Sequence, residues 1–251
     1  MQKFSCNFPG LVIAVLLTSG LSHAATNTTR GLWVGEVILQ KVNETVDGVN
    51  AANQRVSPDP AVTTPVNSPA HLRIIFHVDG DGQVRLLKGV AIITKSTNST
   101  PDIALISNPN LYQNYGNTSG QRITAVAYDF GDTNGVPLNE VLMTGQIAPT
   151  NTLTGSFYLA ADHPTNPFRH KWNPIHRHGY AITRALTVRF DSASSSNVVS
   201  LAGFGVDRIS GSYREEISGL HKALGPGQNI GLIAEGVINL ERISLVDVLN
   251  R

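Results

Sequence analysis

No internal stretch of this chain keeps an apolar period of 3.6 residues for three turns, whereas period-two alternation returns from one end to the other. Together these confine the chain to antiparallel sheet. The clearest case is 71–78, where Leu72, Ile74, Phe76 and Val78 alternate with His71, Arg73 and His77. A half-buried strand is expected there, with its histidines on the outer face. Asp79-Gly80-Asp81-Gly82 follows at once and Val84 to Thr94 resumes the pattern, so the expectation is a β-hairpin with aspartyl-glycine turn chemistry. Further strands fit 122–130, 140–148, 153–160, 180–191, 209–218 and 231–243. In 180–191, Ile182, Leu186, Val188 and Phe190 share one face. Only the end, Ser244 to Asn250, could form a brief helix.

A small motif recurs across these strands. WVGEVIL (33–39), MTGQI (143–147), LTGSFYL (153–159), ISGSYRE (209–215) and AEGVINL (234–240) each place a glycine two residues before an apolar or aromatic one. GEVILQKV (35–42) and GVINLERI (236–243) align Val37 with Ile238, Leu39 with Leu240 and Lys41 with Arg242. Glycine weakens a flat strand, so its repetition points to tight bends or close backbone approach, as at the corners of a barrel. The expected fold is all-β: an antiparallel, barrel-like closed or nearly closed sheet, with a β-sandwich as the alternative.

Two segments read as loops. Residues 50–70 hold Pro58, Pro60, Pro65 and Pro69 among Asn, Ser, Thr and Ala, which excludes a central strand. Residues 161–179 carry three more prolines between two strands.

The start of the chain is different in kind. Lys3, the apolar run Leu11 to Leu21 and Ser22-His23-Ala24 have the three parts of a secretory signal, with cleavage expected after Ala24. The apolar run is too short to span a bilayer of about 30 Å as a helix. The 251 residues less the 24 of the leader leave 227, expected as a single domain from 25 to 251. Loss of Lys3 leaves 18 of the 19 basic residues against 18 acidic ones. Such a neutral domain has no general electrostatic reason to bind nucleic acid or an anionic membrane. The only cysteine, Cys6, also leaves with the leader, so stability must come from the core without disulfides. The expected location is periplasmic, extracellular or cell-surface.

GLWVGEVILQKVNE, HLRIIFHVDGDGQVRLLKGVAII, HPTNPFRHKWNPIH and ISGSYREEISGLHK, closing with GVINLERIS, occur in this order. Together they resemble a secreted β-module found singly or within very large surface proteins of Verrucomicrobia, Planctomycetes and similar environmental bacteria. The resemblance implies an extracellular bacterial β-domain and carries no particular activity. In similar modules the loop more often reads like His-Pro-Asp-His, whereas here it is Asn173-Pro174-Ile175-His176. In outline the chain is also similar to lipocalin-type and avidin-type barrels, where a Gly-x-Trp on the first strand packs near a basic residue of the last. Gly31-Leu32-Trp33 and Arg242 fit that outline.

Chemistry concentrates in the second loop. His163, His170, His176 and His178 are half of the chain's eight histidines. Zinc needs three or four ligands converging at about 2.0–2.3 Å, and His170, His176, His178 and Asp162 are the candidates. Their spacing matches no regular zinc motif, and the alternative is a crossover whose histidines and arginines hydrogen-bond carbonyls. Arg169, Lys171, Trp172, Arg177 and Tyr180 supply cations and flat apolar faces suited to a sugar or an acidic polysaccharide. Glu215 and Glu216 fall on opposite faces of a strand and cannot act as a glycosidase pair by themselves. No residue is assigned a catalytic role. The reading is a secreted non-catalytic β-domain for surface attachment or ligand binding, with a cell-surface or extracellular glycan or protein as partner. A barrel carrying a small ligand inside, and a metal-dependent enzyme centred on the histidine-rich loop, are the alternatives.

Overall fold

The structure is a computed structural model and describes residues 29–49, 55–56, 60–97, 100–115, 119–125, 130, 132–133, 136–163, 166, 179–201, 205–221 and 229–251. The chain opens with β1 (Gly31–Val49), β2 (Arg55–Val56), β3 (Pro60–Val78) and β4 (Val84–Leu87). Next come β5 (Gly89–Thr97), β6 (Thr100–Ile106), a 3₁₀ segment over Pro109–Tyr115, and β7 (Ser119–Thr124). The short pair β8 (Asp132–Thr133) and β9 (Val136–Pro137) precedes β10 (Glu140–Gly145), β11 (Thr152–Leu159) and β12 (Ile182–Phe190). The chain ends with β13 (Val199–Leu201), β14 (Gly205–His221), β15 (Asn229–Ser244) and β16 (Leu249–Asn250).

Eight of these strands close an antiparallel barrel in the order β1, β3, β4, β10, β11, β12, β14, β15 and back to β1. Alternation assigns the faces. Trp33, Gly35, Val37 and Leu39 of β1 pair with Arg242, Leu240, Ile238 and Gly236 of β15, and this face turns inward. Trp33, Val37 and Ile238 are fully buried there, while Glu36 on the other face is exposed. The two similar segments GEVIL and GVINL therefore pair with each other, so that each glycine faces the other's leucine: Gly35 with Leu240, Gly236 with Leu39. A Cβ on Gly35 would stand 1.8 Å from the Asn239 carbonyl oxygen, and one on Gly236 would stand 2.1 Å from that of Ile38. Close backbone approach requires glycine at both positions.

Three expectations need correction. The hairpin at 71–87 forms, with Asp79 Oδ1 accepting from the backbone N–H of Asp81 and Gln83. Val84 to Thr94, however, is not one strand. At Lys88 the chain leaves the barrel, and β5 joins β16, β6 and β7 in a separate four-stranded sheet. The physical reason lies in β10, which offers β4 only Glu140 to Met143, so the later backbone finds its partners in β6 and β7. The proline-rich loop is corrected over 60–70, which belongs to β3 and pairs with β1. Because β4 reaches β3 only at Phe76 to Val78, this part of β3 is an edge strand, the setting in which a sheet tolerates proline. Finally, Ser244 to Asn250 is not a helix. So short a segment is marginal as a helix on its own, and Leu249 and Asn250 instead pair in parallel with Leu105 and Ile106.

That C-terminal segment straps the second sheet to the barrel wall. Asn250 donates to the Leu105 carbonyl at 2.9 Å and its own carbonyl accepts from Ser107 N at 2.9 Å. Arg30 reaches Asp247 at 3.3 Å, and Glu140 takes Arg85 at 3.3 Å and Arg251 at 3.5 Å. Beneath the strap lies His77, on the outer face as expected yet 1% exposed. Its Nε2–H donates to the Val246 carbonyl at 3.2 Å, and its buried Nδ1 has no hydrogen-bond partner. Burial pushes its pKa below the ordinary 6.5, against the hydrogen bond to Val246 and the nearby Asp79 and Glu140, and with Arg85. The neutral form is thus favoured on folding. Stability from this group is fully present above about pH 6.5 and is lost as pH falls through the lower folded pKa. Thermal melts between about pH 8 and pH 5 should show a fall that His77→Gln flattens; an unchanged slope in the variant would remove His77 as its source.

Candidate functional site

Inside the barrel, the strands turn apolar side chains towards one another. Trp33, Ile74, Phe76, Leu86, Val188 and Ile238 belong to one buried cluster, and Leu159, Ile182 and Leu220 form a smaller one at the far end. Charged side chains enter this interior in contact with one another. Arg184 on β12 and Glu215 on β14 form an ion pair with side chains 9% and 4% exposed, through Nε to Oε1. The Tyr213 hydroxyl donates to the other Glu215 oxygen at 2.9 Å, and the Arg184 guanidinium lies 5.1 Å from the Phe157 ring centre. Phe130 meets Phe157 edge-on at 5.1 Å. At the opposite end Arg242 lies 5.6 Å over the Trp33 ring, donates to the Arg30 carbonyl at 3.3 Å and approaches Asp207 at 3.7 Å. Trp33 in turn donates to the Thr29 carbonyl at 2.7 Å. The tryptophan–arginine juxtaposition expected from Gly31-Leu32-Trp33 and Arg242 is thus present.

Most residues of the histidine-rich loop, His170, His176, His178, Arg169, Lys171, Trp172 and Arg177 among them, lie outside the described residues. Of the remaining candidates, Asp162 is an exposed turn residue, and Tyr180 packs against the small cluster of Leu159, Ile182 and Leu220. Asn166, 3% exposed, holds the two ends of the loop together by donating to the carbonyls of Ala160 at 2.9 Å and Tyr180 at 2.6 Å. Among the described residues no three metal-ligating side chains converge. Glu215 and Glu216 do fall on opposite faces, one in the barrel and the other outside on Arg214.

Two pockets lined by described residues lie on the outer wall. The first, of about 450 Å³, crosses β3, β1, β15 and β14. Its polar rim holds Glu36, His71, Arg73, Arg208, Asn239 and Glu241, and its floor is the side chain of Val34 with the backbone of the inward-facing Gly35 and Leu240. Cross-strand register brings these together: Glu36 stands opposite both Arg73 and Asn239, and Arg208 opposite Glu241. His71 Nδ1 lies 2.9 Å from Glu36, Arg208 lies 3.6 Å from Glu241, and the Asn239 side-chain Oδ1 accepts from the Ser210 hydroxyl at 2.7 Å. The second pocket, of about 440 Å³, crosses β1, β12, β14 and β15, with Lys41, Arg189, Arg214 and Glu235 around it. A bulge between Leu39 and Lys41 aims Lys41 outward, where it meets Glu235 at 2.7 Å. That contact, with help from Arg214, holds the Glu235 carboxyl below its usual range.

Sequence reasoning passed over this wall because its signal is weak. Charged residues on the outer face of alternating strands are the ordinary solvated pattern, and only the pairing order shows which of them meet. Compared with known proteins, the chain matches no family model and no curated protein.

Proposed function

We propose that this chain is an exported, non-catalytic binding domain that holds a glycan on the outer wall of its barrel. The outer groove of about 450 Å³ carries this reading. It joins the apolar side chain of Val34 and open strand backbone to a rim of carboxylates, guanidinium groups and an amide, a combination that suits a sugar's C–H faces and hydroxyls. The interior, by contrast, is occupied by side chains from the glycine-bearing strands, and Glu215 there is already taken by Arg184 and Tyr213. That favours recognition outside the barrel over cargo within it. The leader at 1–24 supports delivery beyond the cytoplasm.

Electrophoresis of the chain from Ala25 onward through gels containing soluble neutral or acidic polysaccharides tests the proposal. At least one polysaccharide should slow the wild type, and Glu36→Ala with Arg73→Ala should abolish the retardation without moving the melting temperature, because both side chains are exposed. Retardation by none of them, or equal retardation of the variant, would refute binding at this groove.

A further inference from the structure

The two grooves share β1, β14 and β15, and they follow one another along the outer face of β15 from Glu241 to Glu235. Six steps of strand, at about 3.3 Å each, set those ends roughly 20 Å apart. Between them runs the cross-strand row Ile38, Val237 and Ser212, in which Val237 is 36% exposed. The wall therefore reads polar, apolar, polar along a single line. One small molecule would occupy one groove. A chain of rings, with hydroxyl edges and flat C–H faces, matches the whole line.

Charge distinguishes the two ends. In the first groove Arg73 and Arg208 are balanced by Glu36 and Glu241. In the second, Lys41, Arg189 and Arg214 surround a single lining carboxylate, Glu235. Lys41 and Arg214 both bind Glu235, at 2.7 and 3.0 Å, and Arg214 also binds Glu216 at 2.5 Å. Arg189 is exposed and has no ion-pair partner among the described residues. A guanidinium free in this way can take a carboxylate through two parallel N–H···O bonds.

We infer that the wall binds an acidic oligosaccharide lengthwise along β15, with a neutral ring in the first groove, a ring face on Ile38 and Val237, and a sugar carboxylate against Arg189 in the second. The inference rests on the outer-wall reading above and narrows it to an extended, acidic ligand.

Titration calorimetry with oligogalacturonates of increasing length, and with neutral cello-oligosaccharides as controls, tests it. Affinity for the acidic series should climb until the ligand spans both grooves and then level off, and it should weaken as salt is raised. Arg189→Gln should weaken the long acidic ligand by roughly tenfold or more, with an unchanged melting temperature. Neutral chains binding as tightly as acidic ones, an affinity independent of length, or no effect of Arg189→Gln would overturn this inference and leave the outer-wall reading standing. Binding of neither series, in a protein that no polysaccharide gel retards, would overturn both.

Discussion

Glu215→Ala is expected to lower the unfolding free energy by about 3–5 kcal/mol, the cost of removing one member of a buried ion pair. Arg184 stays behind in the barrel, in an environment where its side chain is 9% exposed and the carboxylate it faced is gone. The Tyr213 hydroxyl loses its bond to Glu215 at the same time. The companion measurement is Arg184→Met together with Glu215→Leu. Removing both charges leaves no lone charge to desolvate, and only the Tyr213 hydroxyl still lacks its bond to Glu215. The double variant should therefore recover most of the loss; replacement of such pairs by apolar groups is often neutral or stabilising. Denaturant melts of the three proteins decide the matter. A double variant as unstable as the single would mean that the ion pair itself, rather than the avoidance of a lone charge, holds this part of the barrel.

Gly35→Ala should cost about 3 kcal/mol, at the upper end for overpacking, because the atom it meets is backbone rather than a yielding side chain. The new Cβ would lie 1.8 Å from the Asn239 carbonyl oxygen, and β1 would have to move away from β15 to admit it. Gly236→Ala raises the same conflict with Ile38 on the other side of the pair and should cost a similar amount. An alanine at Gly80, whose nearest neighbour is the end of the Asp247 side chain at 3.5 Å, serves as the tolerant control. If Gly35→Ala melted with the wild type, the strands would be free to separate there, and the tight pairing of the two motifs would not be what closes the barrel.

These two predictions also mark how far the residues alone could lead. The barrel was legible because its strands alternate plainly and because glycine recurs where strands approach closely; the self-similarity of 35–42 and 236–243 even singled out the two strands that pair. The buried ion pair left a trace as well. Ile182, Leu186, Val188 and Phe190 share a face from which one position is missing, and that position is Arg184, which the fold turns inward with them. A charge on a core face announces a buried partner without naming it. Glu215 becomes that partner only through the pairing of β12 with β14. Partner choice across a sheet was likewise what concealed the second sheet. Val84 to Thr94 looks continuous because both halves alternate, and only the shortness of β10 diverts the chain at Lys88. The outer wall was least legible of all, since the polar rim of its first groove comes from four strands and no single segment supplies more than two of its residues.

The closure of the barrel by β1 against β15 sets a timetable for folding. The first barrel strand finds one of its two neighbours only when the last has emerged, nearly two hundred residues of chain later. Pairings so distant in sequence are slow to form, because the entropy of closing a long loop must be overcome before the contacts repay it. For a polypeptide that crosses a membrane as an extended thread, such lateness is useful. The export proposed above would gain from this order, because the strand that closes the barrel follows all the others that form it.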